Sequence, residues 1–274
     1  MGDSCQQSTF LPPMLAHTYR PGRDDPAGCW LSEKFDGVRA CWTGHRLLTR
    51  TGKLIAAPEA WIAGLPPGVP LDGELSLGRG RFQETVSVVR TIKDDKGWSA
   101  VLYHVFDMPT RDSRPFEERM RSLDGLLETM SSTDTPMRRV TQIRCRDRAH
   151  LDELFRSIIA DGGEGVMLRA PQSPYAVGKR SWTLLKLKPF HDAEAVVIAH
   201  VPGRGKHTGR LGALRGRCVE TGVEFKIGTG FDDKQREDPP PVGAIVTYRY
   251  QERTRSGAPR FPVFIRIRHP TNHN

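Results

Sequence analysis

What most limits this chain is its backbone punctuation: 27 glycines and 21 prolines in 274 residues. Glycine loosens and proline interrupts the regular hydrogen bonding that long helices need, so short strands, turns and a few brief helices are expected. Trp30–Arg50 reads as strands separated at Asp36-Gly37, a hairpin-type turn, and at Gly44. Further strands are expected over Ala100–Asp107, Gly165–Arg169, Thr183–Lys188 and Ala193–Val201. Two helices stand out. Ser113 can cap one that has Pro115 in its first turn and Phe116, Met120, Leu123 and Leu127 along one face. Leu151, Leu154, Phe155, Ile158 and Ile159 mark the other, with Gly162 as a stop.

A boundary is expected at Pro189-Phe190, dividing residues 1–189, a mixed α+β domain, from residues 190–274. The second segment reads as all-β: Ala193–Val201, Gly212–Glu220, Glu224–Gly228, Ala244–Gln251 and Val263–Arg268. Five strands in a small module suggest an OB-type barrel, an architecture that often grips nucleic acid. Net charge supports such a partner: the chain carries +9, and its last 85 residues hold 14 basic against 9 acidic side chains. No apolar run approaches the roughly 18 residues that span a bilayer. Met1–Gln7 lacks the basic-then-apolar pattern of a leader, so the expected compartment is cytoplasmic as written, or periplasmic if a leader has been removed. The five cysteines, Cys5, Cys29, Cys41, Cys145 and Cys218, are scattered without a CxxC pair, which points to neither a disulfide framework nor a zinc knuckle.

There is no G-x-x-x-x-G-K-[ST] loop and no G-x-G-x-x-G after a strand, so any nucleotide must be held another way. In Glu33-Lys34-Phe35-Asp36-Gly37-Val38-Arg39, a lysine beside an Asp-Gly turn with an arginine five positions on could be a nucleophilic amine next to a phosphate clamp, or an ordinary charged hairpin. An amine that is to bond phosphorus must first shed its proton, which nearby cations or a metal favour. Leu71-Asp72-Gly73-Glu74-Leu75 reads as a second Asp-Gly turn, and Gly162-Gly163-Glu164-Gly165 sets a glutamate among glycines before a strand. Glu74 and Glu164 suit Mg²⁺ or a ribose hydroxyl, or are solvated turn residues. In Leu184-Leu185-Lys186-Leu187-Lys188, strand periodicity puts Lys186 and Lys188 on one face, as a polyphosphate site or a charged edge strand. Gly203–Arg217 carries Arg204, Lys206, Arg210, Arg215 and Arg217 with no acid, and Arg266 and Arg268 share a strand face; either set could follow a phosphate backbone or form a solvated surface.

Taken in order, KFDGVR, LDGEL, YHVFD, EGVM and LLKLK resemble the motifs of covalent nucleotidyltransferases, specifically ATP-dependent DNA ligases. GRGKHTGRLGAL, GTGFDDKQRE and RFPVFIRIR resemble the OB domain of small bacterial and viral ligases, and the likeness to the minimal bacterial E-type runs from about Phe10 to His269. The resemblance implies a nucleotidyltransferase domain (ATP-grasp-like, antiparallel sheets with helices) followed by an OB domain. It implies that Lys34 takes AMP, that Glu33, Asp36, Arg39, Arg50, Glu74, Phe106, Glu164, Lys186 and Lys188 serve ATP, and that Glu74 and Glu164 serve metal. Within that set Phe106 stacks on adenine and the lysine pair lies near the α-phosphate. Arg180 and Ser181 resemble a segment touching DNA beside the nick, joined as DNA contacts by Arg204, Lys206, Arg210, Arg215, Arg217, Arg266 and Arg268. Only 33 residues precede Lys34, short of the N-terminal DNA-binding domain of larger ligases, and Pro202–Arg210 is too short for the latch of viral ones.

The expected activity is sealing of nicks in duplex DNA by a monomer that uses ATP and Mg²⁺, with Mn²⁺ as a substitute, in repair, replication or recombination. An RNA ligase and an RNA-capping guanylyltransferase share the first chemical step. A non-enzymatic nucleic-acid binder would leave Lys34, Glu74 and Glu164 without a reason to occur together.

Overall fold

A computed structural model describes residues 10–91, 95–130, 135–254 and 256–268. The chain divides into two compact units, Met1–Leu187 and Lys188–Asn274. In the first unit the elements run β1 (Leu15–Thr18), β2 (Trp30–Glu33), β3 (Val38–Trp42), β4 (Leu47–Thr49), α1 (Glu59–Ile62), β5 (Leu71–Ser76), α2 (Phe82–Arg90), α3 (Asp95–Trp98) and β6 (Leu102–Asp107). There follow α4 (Phe116–Thr129), β7 (Met137–Arg139), β8 (Ile143–Arg144), α5 (Arg148–Ala160), β9 (Val166–Arg169) and β10 (Arg180–Leu187).

These strands build two five-stranded sheets, ordered β1-β10-β9-β2-β8 and β4-β3-β5-β6-β7. Most pairings are antiparallel, but β1 runs parallel to β10 and β7 parallel to β6. Alternation along the strands decides what each face meets. Ala40, Trp42, Leu71, Leu75, Tyr103 and Val105 turn one face of the second sheet onto Trp61, Val89, Trp98, Phe116, Met120 and Leu123 of α1 to α4. Leu31, Val166, Leu168 and Leu185 turn one face of the first sheet onto Leu151 and Ile158 of α5. The opposite faces carry Arg39, Glu74, His104 and Phe106 in the second sheet and Ser32, Met167 and Lys186 in the first.

Both Asp-Gly pairs differ from expectation, and for one reason. β2 pairs with β8 and β9 whereas β3 pairs with β4 and β5, so Asp36-Gly37 is not a hairpin but the crossing from one sheet to the other. Asp72-Gly73 lies inside β5. A Cβ at Gly37 would sit 2.1 Å from the Leu75 carbonyl oxygen, and one at Gly73 would sit 2.6 Å from the Tyr103 ring. Glycine is there to let other groups approach the backbone closely. Two other details differ: α4 begins after Pro115, leaving Ser113 outside as no cap, and α2 was not anticipated. α5 is capped by Asp147, whose carboxylate accepts the His150 amide hydrogen at 2.8 Å.

A buried ionic knot joins the two sheets. Asp107, at the end of β6, accepts from Arg119 of α4 at 2.6 and 3.0 Å and from Arg169 of β9 at 2.9 Å. Beside it, Asp72 accepts from Arg39 at 2.9 and 2.7 Å and from the Tyr175 hydroxyl at 2.6 Å.

The second unit comprises β11 (His191–Pro202), a single 3₁₀ turn (Gly205–His207), β12 (Leu211–Cys218), β13 (Glu224–Ile227), α6 (Asp233–Glu237), β14 (Ile245–Tyr250), β15 (Glu252–Arg253), β16 (Pro259–Arg260) and β17 (Val263–Ile267). Its main sheet is ordered β13-β12-β11-β14-β17. A bridge between Thr229 and Val263, with the Phe264 amide donating to the Thr229 carbonyl at 2.9 Å, joins the two ends of that order and closes a barrel. Val197, Leu214, Ile227, Val246, Tyr248 and Phe264 fill it. The unit is not purely β: Asp232 and Gln235 form a reciprocal capping box that starts α6. Among the described residues Cys29, Cys41, Cys145 and Cys218 are free thiols, while Cys5 lies outside the described residues.

Asp107→Ala strands two buried guanidinium groups, so unfolding should cost about 3–5 kcal/mol less and the thermal midpoint should drop by roughly 10 °C. Thermal denaturation of the purified variant checks this; a midpoint within about 2 °C of the parent would contradict the assignment.

Candidate active site

Lys34 directly follows β2, and its amide donates to the Gly165 carbonyl at 2.8 Å, continuing the strand pairing for one more residue. Its Nζ donates to Glu164 Oε2 at 2.5 Å and lies 3.4 Å from the Phe35 carbonyl oxygen. Glu164 rides on a glycine loop in which Gly162 has φ +78° and Gly165 φ +153°, conformations that favour glycine. The Gly163 amide anchors the loop to the Ile158 carbonyl at 2.7 Å. Lys34 is 24% and Glu164 14% exposed at the side chain, so the pair is largely shielded from solvent, and Glu164 also lines a pocket.

The polar face of the second sheet supplies one wall. Cross-strand register sets Arg39 beside Glu74 and Glu74 beside His104, with Phe106 two residues further along β6. The Arg39 guanidinium carbon lies 5.4 Å from the Phe106 ring centre, and Phe35 stacks on His104 at 4.0 Å. Burial pushes Glu74 up to about 7, reinforced by the charges of Glu164 and Asp72 against the opposing pull of Lys34 and Arg39. Burial likewise holds His104 below the ordinary imidazole value. The first sheet supplies the facing wall: register aligns Lys186 with Met167, and Met167 with Ser32, on the face turned away from α5.

The remaining sequence candidates fall elsewhere. Glu33 points away from that face, its carboxylate held by Arg79 at 2.8 Å through each oxygen. Asp36 lines a pocket on the Glu33 side, together with Glu33, Phe35, Arg79 and Glu164. Arg50 is exposed on the turn after β4, and Lys188 comes just past the end of β10. Arg180 donates to the Ala16 carbonyl and Ser181 Oγ lies 2.8 Å from Thr183 Oγ1, both at the β1–β10 edge. In the barrel, the segment without acids in sequence acquires them through folding. Arg215 and Arg217 both reach Glu224, at 2.8 and 3.1 Å, Arg210 reaches Asp233 at 2.8 Å, and Arg268 reaches Glu194. Arg204, Lys206 and Arg266 are exposed.

Sequence reasoning missed Phe35, His104, Asp72 and Tyr175 as wall residues. Only the alternation of His104 and Phe106 against buried Tyr103 and Val105 signalled one of them. It also missed Arg79, whose place between Gly78 and Gly80 was visible but carried no recognisable chemistry.

A sequence profile described as "ATP dependent DNA ligase domain" matches residues 13–188, and one described as "DNA ligase OB-like domain" matches residues 202–268. The chain belongs to the ATP-dependent DNA ligases. It is 39% identical over 254 residues to a DNA ligase of Haemophilus influenzae, covering 92% of this chain and 91% of that one. It is 33% identical over 165 residues to a DNA ligase of Methanothrix thermoacetophila, covering 56% of this chain but 28% of that much longer one. Among solved structures, one from a structure-function analysis of Lig E DNA ligases superposes with a TM-score of 0.78 at 37% identity, covering 95% of this chain and all (100%) of the other. Chlorella virus DNA ligase-adenylate gives 0.58 at 30% identity, with coverage of 96% and 100%.

Because Glu74 has a higher pKa folded than unfolded, the ligase in its free form binds more protons than its unfolded chain between about pH 4.5 and 7. Its stability therefore falls as pH rises through that window. Glu74→Gln removes the penalty and should raise the thermal midpoint by several degrees at pH 8 and hardly at all at pH 4. Melting curves at both pH values check this, and equal shifts would contradict it.

Proposed function

We propose that this ligase seals nicks in duplex DNA through an adenylate carried on Lys34. In the first step the deprotonated Lys34 amine bonds to the α-phosphorus of ATP as the bond to the bridging oxygen breaks and pyrophosphate leaves. AMP then passes to the 5′-phosphate of the nick, freeing the amine. The 3′-hydroxyl attacks that activated phosphate, AMP departs and the strand is closed. The observation that carries this reading is an amine of limited exposure paired with a carboxylate at the edge of a cleft between two sheets, in a family that includes a DNA ligase-adenylate.

The walls suit the nucleotide. Phe106 offers an aromatic face for the adenine, while Arg39, Glu74 and Glu164 are placed for ribose and phosphate oxygens. Lys186 supplies positive charge near the α-phosphate, and Lys188 and Arg50 are assigned phosphate contacts from the family resemblance. Phosphoryl transfer of this type rests on alignment and charge stabilisation, so rigid walls matter as much as the nucleophile. Glu74 and Glu164 feel each other's charge, as hard oxygen donors for a divalent cation should. No group of three or more His, Cys, Asp or Glu side chains capable of holding a metal occurs among the described residues. That donor set fits Mg²⁺ shared between one or two carboxylates and the substrate's phosphates. Such an ion, when bound, supplies neutralisation of phosphate charge.

For DNA, Arg180, Ser181 and the exposed Arg204, Lys206 and Arg266 are the proposed contacts. Arg210, Arg215, Arg217 and Arg268 must exchange carboxylate partners for phosphates, so they contribute less. Among the described residues no helix is long and apolar enough to cross a membrane.

Two measurements test this reading. Incubation with α-labelled ATP and Mg²⁺ should label the parent protein but not Lys34→Ala, and nicked duplex DNA should chase the label; labelling from GTP instead would point to a guanylyltransferase. Arg204→Glu combined with Lys206→Glu should weaken nick binding and reduce the slope of log affinity against log salt by about 2. An unchanged slope would remove those two residues from the interface.

A further inference from the structure

We infer that Arg79 is a positioning residue that fixes Lys34 against Glu164 for nucleotide transfer; the inference rests on the reading of Lys34 as the nucleophile. Arg79 stands between Gly78 and Gly80, in the link from β5 to α2. Its Nε and Nη2 donate to the two oxygens of Glu33, each at 2.8 Å, and Glu33 is the residue before Lys34. Its Nη1 donates to the Asp161 carbonyl at 3.1 Å, where the glycine loop carrying Glu164 begins. One planar group thus ties together the two segments that supply the amine and its carboxylate. Glu33 also packs on that loop directly, since a Cβ at Gly163 would lie 3.1 Å from Glu33 Oε1.

The platform under Arg79 is itself held. The Leu77 amide donates to Thr85 Oγ1 at 3.1 Å, the Gly78 amide to Ser76 Oγ at 2.9 Å, and Arg81 Nη1 to the Leu77 carbonyl at 3.2 Å. Arg79 is 40% exposed at the side chain, so its ion pair contributes little to global stability. What it supplies is geometry: a forked donor matching both oxygens of one carboxylate, which a lysine ammonium cannot reproduce. Arg79 lines the pocket beside Asp36 and Glu164, and its hydrogen bonds go to Glu33 and Asp161, so its hold on the amine runs through the residue before Lys34 and the loop before Glu164.

The test measures single-turnover labelling by α-labelled ATP, with thermal midpoints alongside. Arg79→Ala should lower the maximal labelling rate by about 10- to 100-fold with little change in the ATP concentration giving half the maximal rate, and should barely move the midpoint. Arg79→Lys should restore only part of the rate. The exchanged pair Glu33→Arg with Arg79→Glu should label faster than either single variant, a recovery that simple loss of structure would not give. Labelling of Arg79→Ala within about twofold of the parent, a loss lying wholly in the half-saturating ATP concentration, or an exchanged pair no faster than the singles would each overturn the inference. Lys34→Ala run in parallel separates the two claims: label retained there defeats the nucleophile reading and this inference with it. Label lost there but normal in Arg79→Ala defeats this inference alone.

Discussion

The pairing of the Lys34 amine with the Glu164 carboxylate, 2.5 Å apart across 130 residues of sequence, is the contact on which the structure turns. For it to form, β2 and β9 must lie side by side in one sheet while the chain leaves Lys34 at once for the other sheet. Gly37 makes that departure possible by letting the crossing lie against the Leu75 carbonyl. The amine is thereby set where the two sheets diverge, with a carboxylate from each side of the cleft acting on it.

The residues around this contact are held in different ways. The walls are locked by buried ion pairs: Asp72 with Arg39, and Asp107 with Arg119 and Arg169. Each such pair is costly to break from one side, which makes the wall geometry hard to distort. The carboxylate facing the amine instead sits on a loop with glycine on either side. Burial of Glu74 carries an electrostatic cost, a common arrangement where function and stability compete.

Much of this was legible in the sequence. The two longer helices and the barrel strands follow from apolar spacing and glycine placement, whereas the Lys34 and Glu164 segments stood apart from ordinary charged turns only through their resemblance to ligase motifs. The Asp-Gly pairs misled because a glycine needed for close approach looks the same as one needed for a turn; only the positions of Leu75 and Tyr103 distinguish them. The basic stretch of the barrel looked unopposed because its acids arrive by pairing, as Glu224 lies directly across from Arg217. The Asp107 knot draws on three separate elements, and no local pattern ties Arg119 to Arg169.

Peptide mapping of the protein after reaction with ATP, under conditions that preserve phosphorus–nitrogen bonds, tests the central claim most directly. A single AMP is expected on the peptide containing Lys34, attached at its Nζ. AMP found on any other side chain, or a protein that consumes ATP and seals nicks while Lys34 stays unmodified throughout, would contradict it.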